Sequence, residues 1–359
     1  MSVFDLPSKG EVWVKKDNPT DLKQVITAYA LEKDIRVPKG EYDIGTDVLE
    51  VTFPSIGSGR GGTFSLKGHG QKTIIIASGP KVFDVLNTAW ITVADYQAIM
   101  NIEGLLIKHD CSNATDITLD LNYSHPWLRM IRANNVNATR QGTGVKIGPS
   151  TAGDASSSGM QPTITGVIAS MYDSAWDLCL DHCTLINTEA YRPVTYGYFY
   201  RTGCAYLDSY GPMVVSTDAD AATLKPVHFY NIGRGNTIHG FKSELPTGMT
   251  NKVFSKTTQA TIDIFGAEGY PKNDLKDAAD TGIHIYGNAA TCKAQNWGVA
   301  TGTGAQQTIA HGLAGTPSEV LLCESTTGLA IPYQSAAADA TNIYVLATLN
   351  KTFRWRASL

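Results

Sequence analysis

Charge is scarce in this chain. Only 17% of its 359 residues are charged, and 29 basic against 33 acidic side chains leave a net charge of −4. No basic stripe stands out, which excludes nucleic acid as a partner, since such a groove needs clustered lysine and arginine. No apolar run reaches the ~20 residues of a membrane helix and no secretory signal opens the chain, so no membrane partner is expected. The six cysteines are Cys111, Cys179, Cys183, Cys204, Cys292 and Cys323. They are too sparse for a disulfide scaffold, and buried free thiols are expected. GxSxG, HExxH and P-loop motifs are all missing. Gly57, Gly59 and Gly62 spell G-x-G-x-x-G, but a strand-like run follows where a dinucleotide site requires a helix. No cofactor is expected. Nor is a metal site. Cys179, His182 and Cys183 come from one flat strand, which rarely closes a tetrahedron, and Asp218 to Asp220 lack the Gly and distal Glu of a calcium loop.

What is abundant is Gly, at 34 residues, and Tyr, at 16. With Thr, Ser and Asn, they suit strands and turns better than helix bundles. One amphipathic helix does stand out. Leu22, Val25, Ile26, Tyr29 and Ala30 recur at helical spacing, with Thr20 or Asp21 expected as its cap. Strand-like alternations follow, in "IRVPKGEYDI", "DVLEVTF", "TFSLKGHG" and "KTIIIA". From about residue 80 to 300, short apolar alternations are separated by polar turns. Ile238, Ile262 and Ile283 recur at intervals that match one coil of a solenoid. A helix at the open end of such a solenoid would cover its exposed core. The rival all-β reading is an antiparallel sandwich, but few Asn-Gly or Asp-Gly hairpin turns occur. The composition shifts near 298–307, and the strands after it read as a small β unit, marginal on its own.

Two stretches resemble a known family. Val37, Pro38, Gly40 and Tyr42, then Leu66, Gly68 and Gly70, then "TIII" from Thr73, are similar to the opening of pectate-lyase-like β-helix proteins, bacteriophage tailspikes in particular. "TIAHGLAGTPSEVLL", from Thr308 to Leu322, resembles a C-terminal module of phage tail fibres and spikes. The resemblance covers the chain up to about position 80 and again from about position 305 onward. It implies an all-β fold: a right-handed single-stranded parallel β-helix with an N-terminal capping helix and a small C-terminal β-sandwich-like domain. The expected division is 1–34 for the N-terminal segment and cap, 35–300 for the β-helix, and 301–359 for a C-terminal domain serving trimerisation or carbohydrate contact. The resemblance further implies a homotrimeric virion spike, assembled in the host cytoplasm, mounted on a tail or baseplate protein, and binding host surface polysaccharide. Many members also cleave that polysaccharide. Such spikes often carry a larger particle-binding domain, whereas the helix here is expected to begin already near Asp21. Either another protein attaches the chain or the sequence is a fragment.

Glycoside hydrolysis needs two carboxyl groups, roughly 5–5.5 Å apart for retention or ~6.5–9.5 Å for inversion. Carboxylates on neighbouring coils stack ~4.8 Å apart. If Leu178 and Leu180 point inward, Asp177, Cys179 and Asp181 point outward. Inward Ala205 and Leu207 likewise put Tyr206 and Asp208 outside. Asp181 and Asp208 are separated by one coil in this reading. Asp177, Asp181 and Asp208 are therefore the candidate catalytic acids, with Glu244 and Glu189 behind them. Ordinary solvated strand faces remain the alternative. Lyase chemistry would use a base and a cation, for which Arg192, Arg201, Lys242 and Tyr198 are available. Tyr196, Tyr198 and Tyr200 alternate along "YGYFY", suiting either a sugar surface or a subunit contact. Tyr196, Tyr198, Tyr206, Trp176 and Arg201 are the expected substrate-binding residues, and Trp127 is a further aromatic candidate. His311 reads as a turn residue.

Overall fold

The computed structural model describes residues 10–53, 63–87, 99–122, 125–148, 162–202, 204–216, 223–245, 249–258, 260–267, 275–277, 280–286, 295–313, 316–324 and 332–358. The glycines of 57–62, the acids Asp218 and Asp220, and Cys292 lie outside the described residues.

Strand β1 (Glu11–Trp13) precedes helix α1 (Pro19–Tyr29). The cap is Asn18, not Thr20 or Asp21. Its side-chain oxygen accepts from the Asp21 amide at 2.9 Å. Pro19 can then take the first helical position, where its missing N–H costs nothing. Leu22, Val25 and Ile26 are buried, against the strands that come next. Each such burial contributes ~1.5–3 kcal/mol.

Beyond α1 the chain winds in coils. The first holds β2 (Asp34–Arg36), β3 (Gly40–Gly45) and β4 (Leu49–Phe53), and the second β5 (Thr63–Lys67), β6 (Thr73–Ala77) and β7 (Lys81–Asn87). In the next two coils one long strand fills two positions, giving β8 (Ile99–His109) with β9 (Ile117–Asn122), then β10 (His125–Asn135) with β11 (Thr143–Ile147). The triplets resume with β12 (Thr163–Thr165), β13 (Ile168–Ser170) and β14 (Ser174–Leu178). Then come β15 (Thr184–Ile186), β16 (Glu189–Tyr191) and β17 (Tyr196–Tyr200), followed by β18 (Asp208–Tyr210), β19 (Met213–Val215) and β20 (Lys225–Tyr230). The last triplet is β21 (Asn236–His239), β22 (Lys242–Glu244) and β23 (Phe254–Thr257), and β24 (Ile262–Phe265) and β25 (Ile283–Tyr286) extend the first position.

Every strand of the coils pairs in parallel with its counterpart one coil away, as in β15–β18–β21, β16–β19–β22 and β14–β17–β20. Three parallel faces result, wound around one continuous apolar core. This is a parallel β-helix. A left-handed residue turns the chain from the first face to the second in coil after coil. Gly104, Met130, Gly166, Asn187, Gly211 and Gly240 all have φ between 49° and 69°. The N-terminal motif has a packing reason too. A Cβ on Gly68 would sit 2.4 Å from the Gly104 carbonyl oxygen, so only glycine lets these backbones cross. Tyr42 is fully buried and its hydroxyl donates to the Pro38 carbonyl.

Half of the expected isoleucine register holds: Ile262 pairs with Ile283. The other half is off by two, since Ile238 pairs with Ile264 while Ile262 stands opposite Asn236. The slip is even, so every isoleucine still faces inward, and periodicity alone does not detect it.

After the coils the pairing changes sign. β26 (Gln295–Thr301), expected at the end of the β-helix, instead pairs antiparallel with β31 (Thr352–Ser358). β28 (Glu319–Glu324) lies on the other side of β31. A second antiparallel sheet holds β27 (Gln306–Ala310), β30 (Asn342–Leu346) and β29 (Tyr333–Ala336). Ile343 and Val345 from one sheet and Phe353, Trp355 and Ala357 from the other share a separate core, sandwich-like in plan. His311 is a turn residue here: its Nδ1 accepts from the Leu313 amide and its Nε2 donates to the Asp339 carbonyl.

Candidate functional site

On the first face the middle residue of each short strand faces the core, as Leu185, Ser209, Ile238, Ile264 and Ile285 do. The residues on either side of it therefore face out, in two columns. One column runs Thr184, Asp208, Thr237, Asp263, His284 at successive rungs. The other runs Ile186, Tyr210, His239, Phe265, Tyr286. The rings of the second column stack. Tyr210 and His239 lie 4.9 Å apart and 8° from parallel, His239 and Phe265 5.0 Å and 12°, Phe265 and Tyr286 4.9 Å and 15°. Neighbouring rings cover each other's faces, so this wall presents ring edges and hydroxyls to solvent.

Beside the wall lies a floor of acids and hydroxyls. Thr237 donates to Asp208. His284 Nδ1 lies 3.0 Å from the Asp263 carboxylate, and Tyr286 donates to it at 3.4 Å. Asp208 and Asp263 are two rungs apart, about 10 Å at ~4.8 Å per rung. The strip thus repeats acceptor, hydroxyl, imidazole and aromatic edge along the axis. That chemistry suits hydrogen bonding to a hydroxyl-rich ligand laid along the coils.

Tyr206 stands at the corner leading into this face and is 40% exposed. Its ring stacks on His182 at 4.5 Å, its hydroxyl accepts from Arg234 Nε at 3.2 Å, and a Cβ on Gly235 would come within 2.6 Å of the ring. Asp181 is at the same corner, 2.9 Å from His182 Nδ1. Its bridge partner is Ala205. Asp181 is therefore not the rung neighbour of Asp208, which is Thr184. The strand ends at Leu178, so the alternation projected through Asp181 breaks there, and Cys179 is buried with its thiol on the Thr202 carbonyl.

Asp177 is on the third face, where its rung neighbours are Lys146 and Phe199. It pairs with Arg201, whose side chain is 7% exposed. Burial pushes the Asp177 carboxyl above the usual range, against the pull of Arg201 and Lys146. The same column carries Asp120 and Asp84, both bridged by Lys81 at 2.7 and 2.9 Å. Arg201 is thus committed to an internal ion pair, against its expected role on substrate. Tyr196 is half-buried and stacks on Phe199 at 4.6 Å, with Lys225 over its ring. Beside them is His228, held by Ser255 and Thr257. Burial, then Lys225, lowers its pKa to about 4.

Two expected substrate contacts are core residues. Trp176 and Tyr198 are fully buried and stack at 5.7 Å, and Tyr200 continues the stack. The Trp176 indole donates to the Glu189 carbonyl and the Tyr198 hydroxyl to Thr188. The parity of "YGYFY" turns its second and third tyrosines inward. Glu244 lies exposed on the second face. Glu189, also there, has its carboxyl raised by burial, against nearby Arg132, with the Glu244 charge adding to the rise.

The four expected acids therefore do not converge: Asp208 faces out from the first face, Glu244 from the second, Asp177 is locked on the third, and Asp181 sits at a corner. Asp263, His284 and the aromatic wall were missed. Their signal is the recurring triplet in "TLI", "DSY", "TIH", "DIF" and "HIY", a polar residue two before a ring in all but the first. Of the cysteines, Cys111, Cys179, Cys183 and Cys204 are buried free thiols, and burial pushes Cys111 up to about 12. Cys323, expected buried, is exposed.

No protein-family model matches the sequence, and no curated protein matches it. Among solved structures, the chain is similar to the tailspike of Pseudomonas phage phi297, at 10% identity and a TM-score of 0.36, covering 90% of this chain. It spans 64% of that tailspike's length. It is also similar to the tailspike of Pseudomonas phage LKA1, at 8% identity and a TM-score of 0.25, covering 94% of this chain and 92% of that one. At these values the fold assignment stands on the strand pairing of this chain itself.

Proposed function

We propose that this protein is a phage tailspike that binds a host surface polysaccharide along the first face of its β-helix. The observation that carries the reading is the periodicity of that face. Asp208, Thr237, Asp263 and His284 recur at one rung each beside a continuous ring wall. A repeating surface is matched by a repeating ligand, and polysaccharide is the hydroxyl-rich polymer that acceptors and ring edges recognise. The tailspike-like motifs at both ends of the sequence support the same reading. In this account the chain is a homotrimer assembled in the host cytoplasm and mounted on a virion tail or baseplate protein. The coils carry the ligand, and the two antiparallel sheets form a C-terminal unit.

Cleavage of the bound polymer is a second reading. Asp208 and Asp263 favour it, because two rungs place these carboxylates close to the ~6.5–9.5 Å of inverting glycosidases. The test is incubation with capsular and O-antigen polysaccharides, following retention, reducing ends and unsaturated-uronate absorbance together. Retention without either product signal leaves the binding spike and removes the enzyme. No retention on any host-matched polysaccharide removes both. A stable monomer in light scattering removes the trimer.

A further inference from the structure

The outer face of the sheet formed by β26, β31 and β28 is built unlike the coils. Register sets Trp297, Arg356 and Leu321 in one cross-strand row, and Val299, Arg354 and Cys323 in the next. These six residues line a groove of about 500 Å³. Trp297 is 65% exposed and Val299 64%, on one rail, and Leu321 and Cys323 form the other. The rails stand roughly 10 Å apart, twice the ~4.8 Å strand spacing, with both arginines on the strand between them. Arg356 is held by Glu319 at 3.1 Å. Arg354 has no ion pair or side-chain hydrogen bond among the described residues. Below the groove, Trp355 packs where a Cβ on Gly298 would lie 2.8 Å from its ring, so the floor is backed by the sandwich core.

We propose that this groove is a second ligand site, for a carboxylate-bearing sugar. The proposal rests on the glycan-binding reading and adds to it a separate place and a preference for charge. An exposed indole offers the apolar surface on which a sugar ring packs, and a guanidinium recognises a carboxylate through paired N–H donors. Arg354, unpaired among the described residues, is the cation for that role. Peptide recognition by sheets works mainly through unpaired backbone at an edge. Here the ligand surface is a face whose central strand is bonded on both sides, which leaves side chains to make the contacts. A second copy of the chain fits less well, because a stable interface needs about 800 Å² per partner, and among the described residues the large apolar side chains of this face are Trp297, Val299 and Leu321.

The experiment uses the full chain with oligogalacturonate and its methyl ester, followed by calorimetry and tryptophan fluorescence. The free acid binds and the ester does not. Arg354→Gln weakens binding about tenfold or more and Trp297→Ala about fivefold, with thermal melts unchanged because both side chains are exposed. Failure of the acid to bind, or binding that Arg354→Gln leaves unchanged, overturns the proposal. So does an oligomer that Trp297→Ala takes apart while acid binding persists, since the face is then a subunit contact. If the first face is not a glycan site, Thr237→Arg leaves retention on host polysaccharide unchanged whatever the groove does, so the two readings fail separately.

Discussion

Two ladders of acids run along this β-helix, and the molecule uses them in opposite ways. On the third face, Asp84, Asp120 and Asp177 are closed by Lys81, Lys146 and Arg201, and the Asp120 side chain is only 4% exposed. On the first face, the partners of Asp208 and Asp263 among the described residues are a threonine, a histidine and a tyrosine, and the Asp263 side chain is 41% exposed. In the sequence both kinds look like outward acids on short strands. The difference is whether a cation on the next coil answers the charge. Where it does, the acid is part of the scaffold. Where it does not, the acid keeps acceptor capacity for a ligand.

The sharpest way to break this contrast is to remove a member of the closed ladder. Asp120→Ala leaves Lys146, its side chain 12% exposed, without this carboxylate and Lys81 with Asp84 alone. Breaking so largely buried a pair costs up to about 3 kcal/mol, the low end for buried ion pairs. Denaturant titration should show that loss. An effect as small as that of Asp263→Asn would erase the distinction between the faces. Gly68→Ala comes next, at about 1–3 kcal/mol for the forced clash with the Gly104 carbonyl.

The third face also predicts a pH response. His228 is buried neutral, with its pKa lowered to about 4 from the usual 6.5. Between those values the unfolded chain binds a proton that the folded one refuses. The contribution of His228 is complete above about 6.5, falls as pH drops, and levels out below about 4. Melting temperature against pH for the wild type and His228→Gln should diverge in that window, and parallel curves would show that this histidine is not held neutral. The smallest stability effect belongs to the open ladder. Asp263→Asn should shift stability by no more than about 0.5 kcal/mol, as for an ordinary surface site, while weakening polysaccharide retention.

The ends of the fold were legible in sequence for a physical reason. Gly68 and Tyr42 occupy positions where backbone crossing and a buried hydroxyl admit few alternatives, and the α1 stripe has a single apolar side. The coils were legible as a class only. An inward position accepts any apolar residue, so the even slip of Ile238 against Ile262 left no trace. The rungs of the first-face column, Thr184, Asp208, Thr237, Asp263 and His284, fall at unequal intervals along the chain. Segments of different length between the faces hide their recurrence. Trp176 and Tyr198 misled because aromatic residues suit both a sugar surface and a wide coil interior, and only the direction of each strand's pleat separates the two. Arg201 and Asp177 could not be told from free site residues without the register that makes them partners.

The central claim is that ligand lies on the first face and not the third. Paired substitutions test it most directly: Thr237→Arg in the middle of the open ladder, and Tyr230→Arg, at a position 38% exposed on the third face. Both variants are to be measured for retention on host-matched surface polysaccharide. The account predicts that Thr237→Arg abolishes retention and Tyr230→Arg leaves it at the wild-type level. The reverse pattern, or equal retention by both, would contradict it.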